Sequence, residues 1–306
     1  MAAFLLRRLV VAALVALTVS ALAFALLFVA GDPAAALAGQ SGRAADAEYL
    51  RRFYGLDRPL VVQYAAWLTR LAQGDLGNSL FFGFPVAALI AERLPVTITL
   101  GVASTLLAVV VGVPTGVLAA TRPNGAADLV LRLFAAIGQA MPTFWFGLML
   151  IVVFGIVYPV LPISGADDWR GYVLPTVVLG YYATPAIMRL TRAGMIEVLS
   201  ADYVRTARAK GLRPRTVLFK HALRNAVLPV VSLTAVQMGA LLSGSIVVES
   251  VFALNGVGRL AWESILRADL PTMQAIVLLF ALFYVLLTLA ADLVNAWLDP
   301  RLRVRG

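Results

Sequence analysis

The chain has 306 residues, of which 61% are hydrophobic and only 13% are charged, and its formal net charge is +9. An average soluble domain carries about 25% charged residues, so this composition argues against a soluble globular protein. The chain contains no cysteine. Disulfides, thiolate nucleophiles and metal sites ligated by cysteine are therefore excluded.

Six apolar segments are candidates for membrane-spanning helices, because about 20 apolar residues cross roughly 30 Å of hydrocarbon as a helix. The segments are 9–30, 96–120, 133–159, 171–188, 226–248 and 271–291. They lack the alternating pattern of barrel strands, so we predict an all-α membrane protein with six transmembrane helices. Within them, Pro114, Pro142, Pro175 and Pro185 are expected to kink the helices or to be tolerated there.

The first apolar segment has two interpretations. Arg7 and Arg8 precede it, and residues 36–38 offer a small-residue cleavage site, as in a secretory signal. Its apolar core of 22 residues is longer than the 7 to 15 that are usual for a signal peptide. We therefore expect a retained first transmembrane helix over residues 1–30.

The distribution of positive charge predicts the orientation. With both termini in the cytoplasm, the inner pieces are the N-terminal tip, 121–132, 189–225 and the tail after Asp299, and they hold 16 of the 25 Lys and Arg residues. The largest outer piece, 31–95, has equal numbers of acidic and basic residues. Short loops rich in Lys and Arg stay cytoplasmic, so the net charge needs no nucleic-acid partner to explain it.

The outer segment 31–95 is predicted to contain short amphipathic helices at the membrane surface. Leu60, Tyr64, Leu68 and Leu71 recur at helical spacing. Asp57 and Pro59 are start signals for this helix, whereas Gly74-Asp75 and Gly77-Asn78 are stop signals. The segment could be a lid that packs on the membrane domain or a docking face for an external partner.

The sequence lacks the patterns of several enzyme classes. His221 is the single histidine, so neither an HExxH motif nor a metal site with two histidines can form. Residues 242–245 do not make a G-x-S-x-G turn, and the glycine-containing stretch 239–246 has no lysine to reach a nucleotide phosphate. We therefore expect no catalytic residue, no metal site and no ATPase site in this chain, and we expect His221 to be a surface or interface residue.

Charged groups at mid-membrane depth usually mark the coupling site of an ion-driven carrier. Glu249 and Asp292 fall near the ends of their segments, which argues against that class. The polar candidates for a substrate path are Gln139, Thr143, Gln237, Ser243 and Ser245. Such groups more often bond across helices, so both roles stay open. Gly112 and Gly116 have the spacing of close helix packing.

A basic stretch, 202–225, carries seven Lys or Arg residues between two apolar segments. It could simply be a loop that sets orientation. The whole segment 189–225 is however longer than a loop needs to be to set the orientation of the chain in the membrane. Tyr203, Ala207 and Lys210 share one helical face, Gly211 breaks the helix, and Pro214 starts a second one. A helix, a glycine turn and a second helix with outer cations suit insertion into a partner's groove.

The strings DYVRTARAKGL (202–212) and HALRNAVLPVV (221–231) resemble the cytoplasmic coupling loop, or EAA loop, of ABC transporter permeases. The likeness is to the dipeptide, oligopeptide and nickel branch of binding-protein-dependent importers. Further matching strings are FLLRRLV (4–10), GDP (31–33), GLDRPLVVQY (55–64), GDLGNS (74–79), GSIVVESVFALNGVGRL (244–260) and LDPRLR (298–303). Ala207 and Gly211 match general positions of the loop motif, whereas Arg205 stands where many importers have glutamate.

This resemblance implies a type I ABC importer permease fold in a bacterial inner membrane, with both termini cytoplasmic and a coupling helix around 206–217. The implied domains are a first transmembrane helix (1–30), an extracytoplasmic segment (31–95), a core permease domain (96–299) that includes the coupling loop 193–225, and a cytoplasmic tail (300–306). The implied contacts with the ATPase are Asp202, Tyr203, Arg205, Thr206, Ala207, Arg208, Ala209, Lys210, Gly211, Leu212 and Arg215.

The resemblance also implies the partners: a second related permease, two ATPase subunits that bind ATP and magnesium, and an external solute-binding protein. Arg58, Asp75 and Arg259 are candidates for docking that protein, although each is equally plausible as a solvated surface charge. A short peptide is the expected cargo, with nickel, glutathione or an opine-like solute as alternatives. A standalone channel or secondary carrier is the alternative from a different class, and it predicts uptake by this chain alone.

Overall fold

The computed structural model describes residues 2–29, 34, 48–49, 51–52 and 55–298. The strings at 31–33 and 36–38 and the tail from residue 299 onward lie outside the described residues. The described part is almost wholly helical, and its β-type pairing is limited to an isolated bridge between Asn78 and Pro85. The all-α class expected from the sequence is therefore confirmed.

The helices are numbered in chain order. They are α1 (Ala2–Val29), α2 (Leu60–Ala72), α3 (Val86–Thr121), α4 (Ala126–Ala140), α5 (Thr143–Ile151, continued by a π-helical turn Val152–Val157), α6 (Val173–Leu199, preceded by a 3-10 turn Trp169–Tyr172), α7 (Asp202–Ala209), α8 (Pro214–Thr216, π-helical Val217–Leu223 and Arg224–Ala226), α9 (Leu228–Val251), α10 (Val257–Leu266) and α11 (Leu270–Leu298).

Five of the six predicted spans are single helices long and apolar enough to cross a membrane. Their bounds in the described part of the chain are Leu6–Ala25, Val86–Thr121, Trp169–Leu199, Leu228–Val251 and Leu270–Asn295. The predicted span 133–159 is bent rather than straight, because the chain turns by 97° between α4 and α5 at Pro142, one of the prolines expected to kink a helix or to be tolerated in it. The sixth crossing exists only if this bent pair is counted as one span.

The break between α4 and α5 has a local cause. Pro142 has no N–H to bond to the preceding turn, and its ring disfavours a helical conformation in the residue before it. Met141 accordingly takes extended angles of φ −80° and ψ 124°, and Pro142 becomes the residue that precedes α5. Pro95, Pro114 and Pro185, in contrast, lie inside continuous helices, which membrane helices tolerate.

Helices α3 and α6 form the most extensive helix contact, and small residues bring them together. A Cβ on Gly112 would lie 2.9 Å from Cγ2 of Ile187, and one on Gly116 would lie 2.6 Å from the carbonyl oxygen of Met188. The close packing predicted for this glycine pair is therefore confirmed. The main core surrounds the contact and includes the fully buried Leu100, Leu179, Ile187, Phe252 and Leu254.

The amphipathic helix predicted in the outer segment is present as α2. It begins after Pro59 and ends before Gly74, whose φ of +80° is easily reached only by glycine. No residue of α2 is buried, and Leu60, Val61 and Val62 are exposed. The helix thus lies on the surface of the bundle rather than in its core.

Candidate functional site

We call the end of the bundle that carries α7, α8 and residues 121–128 the basic end, and the end that carries α2 and α10 the opposite end. At the basic end, α7 stops in a hydrogen-bonded cap. The N–H of Gly211 donates to the carbonyl of Arg208 at 2.9 Å, and the N–H of Leu212 donates to that of Ala207 at 3.4 Å. This is the Schellman pattern, which requires a left-handed residue, and Gly211 has a φ of +73°. Pro214 then begins α8, so the predicted helix, glycine turn and helix are confirmed.

The inner face of this segment is packed. Val204, Ala207 and Val217 are buried together and contact Val198 and Leu199 at the end of α6. Tyr203 adds a polar link, because its hydroxyl accepts a hydrogen bond from Nδ2 of Asn225 at 2.8 Å. Helices α7 and α8 therefore form one small folded unit rather than a loose loop.

That unit is joined to two membrane spans. Ala222 and Ala226 of α8 are buried with Val117 and Ala120 of α3 and Met195 of α6. The backbone contact is close, since a Cβ on Gly194 would lie 2.9 Å from the carbonyl oxygen of Ala226. A displacement of α8 would therefore act directly on the ends of α3 and α6.

The outer face of the unit is cationic and exposed. Every predicted ATPase-contacting residue except Ala207 is exposed in the structure. The exposed members are Asp202, Tyr203, Arg205, Thr206, Arg208, Ala209, Lys210, Gly211, Leu212 and Arg215. Asp202 and Arg205 form an ion pair at 2.6 Å, but both side chains are largely solvent-accessible, so the pair contributes little to stability. Ala207 is 7% exposed and supports the unit from beneath.

A buried carboxylate anchors the neighbouring loop at the basic end. Asp128, in the first turn of α4, accepts hydrogen bonds of 2.7 Å from both Nε and Nη2 of Arg192 in α6. Asp128 also accepts a hydrogen bond of 2.8 Å from the N–H of Asn124 and forms an ion pair with Arg132 at 3.3 Å. Two parallel bonds between a guanidinium and a carboxylate fix direction as well as distance. Asp128 therefore holds α4 against α6.

At the opposite end, Glu249 is fully buried near the end of α9. One carboxylate oxygen accepts from Oγ1 of Thr97 at 2.8 Å and from Oγ of Ser245 at 2.9 Å. The other accepts from the N–H of Arg259 at 2.8 Å. Since Thr97 belongs to α3 and Arg259 to α10, Glu249 joins three helices at one point.

Two more carboxylates fasten α10 and the beginning of α11 to residues 79–93. Glu263 pairs with Arg93 at 3.1 Å and with Arg259 at 3.0 Å. Asp269 accepts a hydrogen bond from the hydroxyl of Ser79 and one of 3.0 Å from the N–H of Leu80. The opposite end is thus held by three acidic side chains that each contact a distant part of the sequence.

The predicted substrate-path residues lie in different surroundings. Ser245 is buried in the Glu249 cluster, whereas Ser243 is exposed and Thr143 and Gln237 are half-buried. Oε1 of Gln139 accepts a hydrogen bond of 2.8 Å from Arg189. These five residues therefore differ in burial and in hydrogen-bond partners, and their role in a substrate path stays a prediction.

The three predicted docking residues lie at the opposite end, but they differ in solvent exposure and in side-chain contacts. Arg58 and Asp75 are both exposed. Oδ1 of Asp75 accepts a hydrogen bond of 2.8 Å from the N–H of Gly77. Arg259 is half-buried and paired with Glu263. The Arg259 side chain is therefore engaged by Glu263 of the same helix, and its role in docking stays a prediction.

Sequence reasoning missed the roles of Asp128, Arg192, Glu249 and Glu263. A signal existed for Glu249, because an acidic residue that closes an apolar run needs partners when it is buried. Asp128 could have been noticed from the turn residues before it and from Arg132 four residues later. Its main partner, Arg192, is 64 positions away and no local pattern reveals it.

The fold resembles that of a known class of membrane protein. The structure aligns with the inward-facing methionine ABC transporter MetNI with a TM-score of 0.59, at 20% sequence identity, and the alignment covers 69% of this chain and 96% of that one. At this identity the likeness concerns the fold alone, which is that of an ABC importer permease.

Sequence comparison then defines the family. Residues 112–304 match the binding-protein-dependent transport system inner membrane component family, and residues 1–101 match its N-terminal region. The glutathione transport system permease proteins GsiC of Pectobacterium atrosepticum and Escherichia coli are each 42% identical over 275 residues, which is 90% of this chain and 90% of each relative. The chain belongs to this family: it is an inner-membrane ABC importer permease of the dipeptide, oligopeptide and nickel type.

Proposed function

We propose that this chain forms half of the translocation path of an ATP-driven importer and that α7 and α8 couple it to a separate ATPase subunit. The observation that carries the proposal is the folded basic unit itself: its exposed face is cationic, and its buried face is packed on two spans. A rigid element of this kind can transmit a displacement from a partner into a helix bundle.

The proposed coupling has a defined direction through the structure. Closure of the ATPase subunits would move α7 and α8 together, because Val204 and Val217 share one buried cluster. Ala222 and Ala226 would pass the movement to α3 and α6, whose glycine contact is too close to deform gradually. The bundle would therefore switch between inward-facing and outward-facing arrangements.

The proposed assembly contains a second permease, two ATPase subunits and an external solute-binding protein. ATP and magnesium would be bound by the ATPase subunits. The opposite end of this chain would face the binding protein, with Arg58 and Asp75 as the exposed candidates for contact.

We further propose that the cargo is a short peptide of the glutathione class. Two relatives at 42% identity carry the name of glutathione permeases, and glutathione is itself a small peptide. These names favour glutathione over an unspecified dipeptide or oligopeptide, and over nickel.

The test is uptake of labelled glutathione by the complete transporter in proteoliposomes, with Gly211→Val compared against Gly83→Val. Both glycines have a left-handed φ, +73° and +70°, and neither has a heavy atom within 4 Å of the position that a Cβ would occupy. The two changes therefore impose similar backbone strain at different ends of the protein. We expect Gly211→Val to lower ATP-dependent uptake about tenfold or more and Gly83→Val to retain most of it.

Two companion variants sharpen this experiment. Gly211→Asn should retain uptake because Asn adopts the left-handed conformation readily. Ala207→Arg should abolish uptake while leaving membrane insertion intact, because the new charge cannot fit beneath the unit. Full uptake by Gly211→Val and Ala207→Arg would contradict the coupling role. Uptake by this chain in liposomes without any ATPase subunit would instead indicate a standalone channel or carrier.

A further inference from the structure

A cavity of about 700 Å³ lies at the opposite end, and its wall includes Arg58 and Asp75, the two exposed candidates for contact with the binding protein. Its wall combines the end of α1, helix α2, the loop 74–80 and the beginning of α11. The lining residues that matter here are Arg52, Arg58, Gln63, Arg70, Asp75 and Gln274.

The depth of this cavity is set by two membrane spans. Nε2 of Gln274, in the first turns of α11, donates to the carbonyl of Ala23 in α1 at 3.1 Å. The candidate span of α11 begins at Leu270, which lines the cavity together with Pro271. The cavity therefore lies where α11 leaves the hydrocarbon, which is the depth of lipid headgroups.

Helix α2, which forms one wall, has the features of a helix that lies in the membrane surface. The hydroxyls of Tyr64 and Ser20 are 2.7 Å apart and attach α2 to α1. Trp67 stacks on Tyr64 with ring centroids 6.1 Å apart, and tryptophan and tyrosine favour the interface between hydrocarbon and water. Leu60 and Val61 are 56% and 79% exposed, as expected for an apolar face that contacts lipid.

The charges in the cavity favour an anion. Arg58 precedes α2 and Arg70 lies in its last turn, and neither forms an ion pair with any described residue. Arg52 pairs with Glu48 at 3.3 Å. Asp75 is the one acidic side chain among the described lining residues, and its Oδ1 already accepts from the N–H of Gly77.

The spacing of these groups favours a ligand with two anionic groups. Arg58 lies just before α2, and the helix from Leu60 to Arg70 rises about 15 Å, so two separate phosphates suit these arginines better than one. Gln63 lies between them in the sequence. Its Nε2 donates to the carbonyls of Leu56 and Arg58, at 3.1 and 2.7 Å, while its buried Oε1 has no donor among the described residues. A hydroxyl between two phosphates would supply that donor.

We propose that this cavity binds the headgroup of an anionic phospholipid, with one phosphate at Arg58, a second at Arg70 and a glycerol hydroxyl donating to Gln63. Basic pockets at the ends of membrane helices are suited to such headgroups, and arginine binds phosphate through two parallel hydrogen bonds. Cardiolipin supplies both phosphates in one molecule, whereas phosphatidylglycerol supplies them as two molecules. The bound lipid would hold α2 and α11 together at the surface of the membrane.

The test is native mass spectrometry of the full chain, delipidated in detergent and titrated separately with cardiolipin, phosphatidylglycerol and neutral phosphatidylcholine. Arg58→Gln/Arg70→Gln should weaken binding of the anionic lipid by about tenfold or more, and Arg58→Lys/Arg70→Lys should bind more tightly than the Gln variant but less tightly than the original chain, because lysine keeps the charge and loses the second hydrogen bond. The control Arg122→Gln/Arg213→Gln removes the same charge from exposed positions at the basic end and should bind as the original chain does.

The lipid species are distinguished by stoichiometry, since one cardiolipin or two phosphatidylglycerol molecules would be lost in the Arg58→Gln/Arg70→Gln variant. Equal anionic-lipid binding by that variant and the original chain would overturn the proposal. It would also be overturned if excess glutathione displaced the lipid and was itself retained through the same two arginines, because the cavity would then be a cargo site. The experiment needs no ATPase subunit, so its outcome is independent of the coupling proposal.

Discussion

Asp128 and Arg192 face each other so that each carboxylate oxygen receives one guanidinium hydrogen bond, both at 2.7 Å. Asp128 is fully buried, and the Arg192 side chain is 20% exposed. The pair links α4 to α6 only a few turns from the basic unit of α7 and α8. The pair therefore belongs to the part of the bundle on which a moving α7 and α8 would exert force.

Asp128→Asn should lower the thermal stability of the purified chain. The amide keeps the shape but leaves the Arg192 guanidinium without its charged partner, and a charge that loses its buried partner is costly. The measurement is the fraction of monodisperse protein after heating in detergent. Arg132→Gln is the control, because Arg132 is more exposed and its contact is longer, 3.3 Å; its melting temperature should fall less. Equal melting temperatures for the two variants would contradict the anchoring role of Asp128.

Glu249→Gln should destabilise the opposite end. Both carboxylate oxygens accept hydrogen bonds, and the amide nitrogen of Gln cannot accept, so at least one buried donor loses its partner. The expected loss in the free energy of unfolding is about 1–3 kcal/mol. It would be measured as a lower melting temperature in the same heating assay. Ser250→Ala is the matched control on α9, since Ser250 is exposed and its hydroxyl donates to the carbonyl of Ile246 in its own helix. An unchanged midpoint for Glu249→Gln would show that the cluster does not hold α10.

Gly116→Ala should destabilise the protein more than the small size of the added methyl group suggests. The added carbon would lie 2.6 Å from the carbonyl oxygen of Met188 and 2.7 Å from Cβ of Thr191, so α3 and α6 must separate. Overpacking of this kind costs about 1–3 kcal/mol. Gly244→Ala serves as the control because no heavy atom lies within 4 Å of its added carbon and alanine favours a helix. If both variants unfold at the temperature of the original chain, the helices are not in close contact here.

Local patterns in the sequence predict a large part of this fold. The apolar runs of α3, α9 and α11, the glycine contact of α3, the start and stop signals of α2 and the turn at Gly211 all depend on neighbouring residues. Composition could not distinguish a straight third span from a bent one. Pro142 accompanies a bend, whereas Pro114 and Pro185 lie inside continuous helices, so the presence of a proline does not by itself predict where a membrane helix bends.

The buried polar contacts were harder to predict because their partners are distant in sequence. Thr97 and Glu249 are 152 positions apart, and Ser79 and Asp269 are 190 apart. Ala207 shows a different difficulty, in which the position is predicted from the sequence but its environment is not. The family motif marks the position, but only the folded unit reveals that its methyl group is buried against Val204 and Val217 rather than displayed to a partner.

The most direct test of the coupling role uses the absence of cysteine from the chain. Arg208→Cys and, at the opposite end, Asp167→Cys each introduce one exposed thiol, which is labelled with a maleimide photo-crosslinker before the transporter is assembled. Illumination should join the chain to an ATPase subunit from position 208 and not from position 167, with a yield that changes when ATP is bound. If position 208 gives no ATPase crosslink in any nucleotide state and stays as accessible as in the isolated chain, the basic unit does not couple this permease to its ATPase.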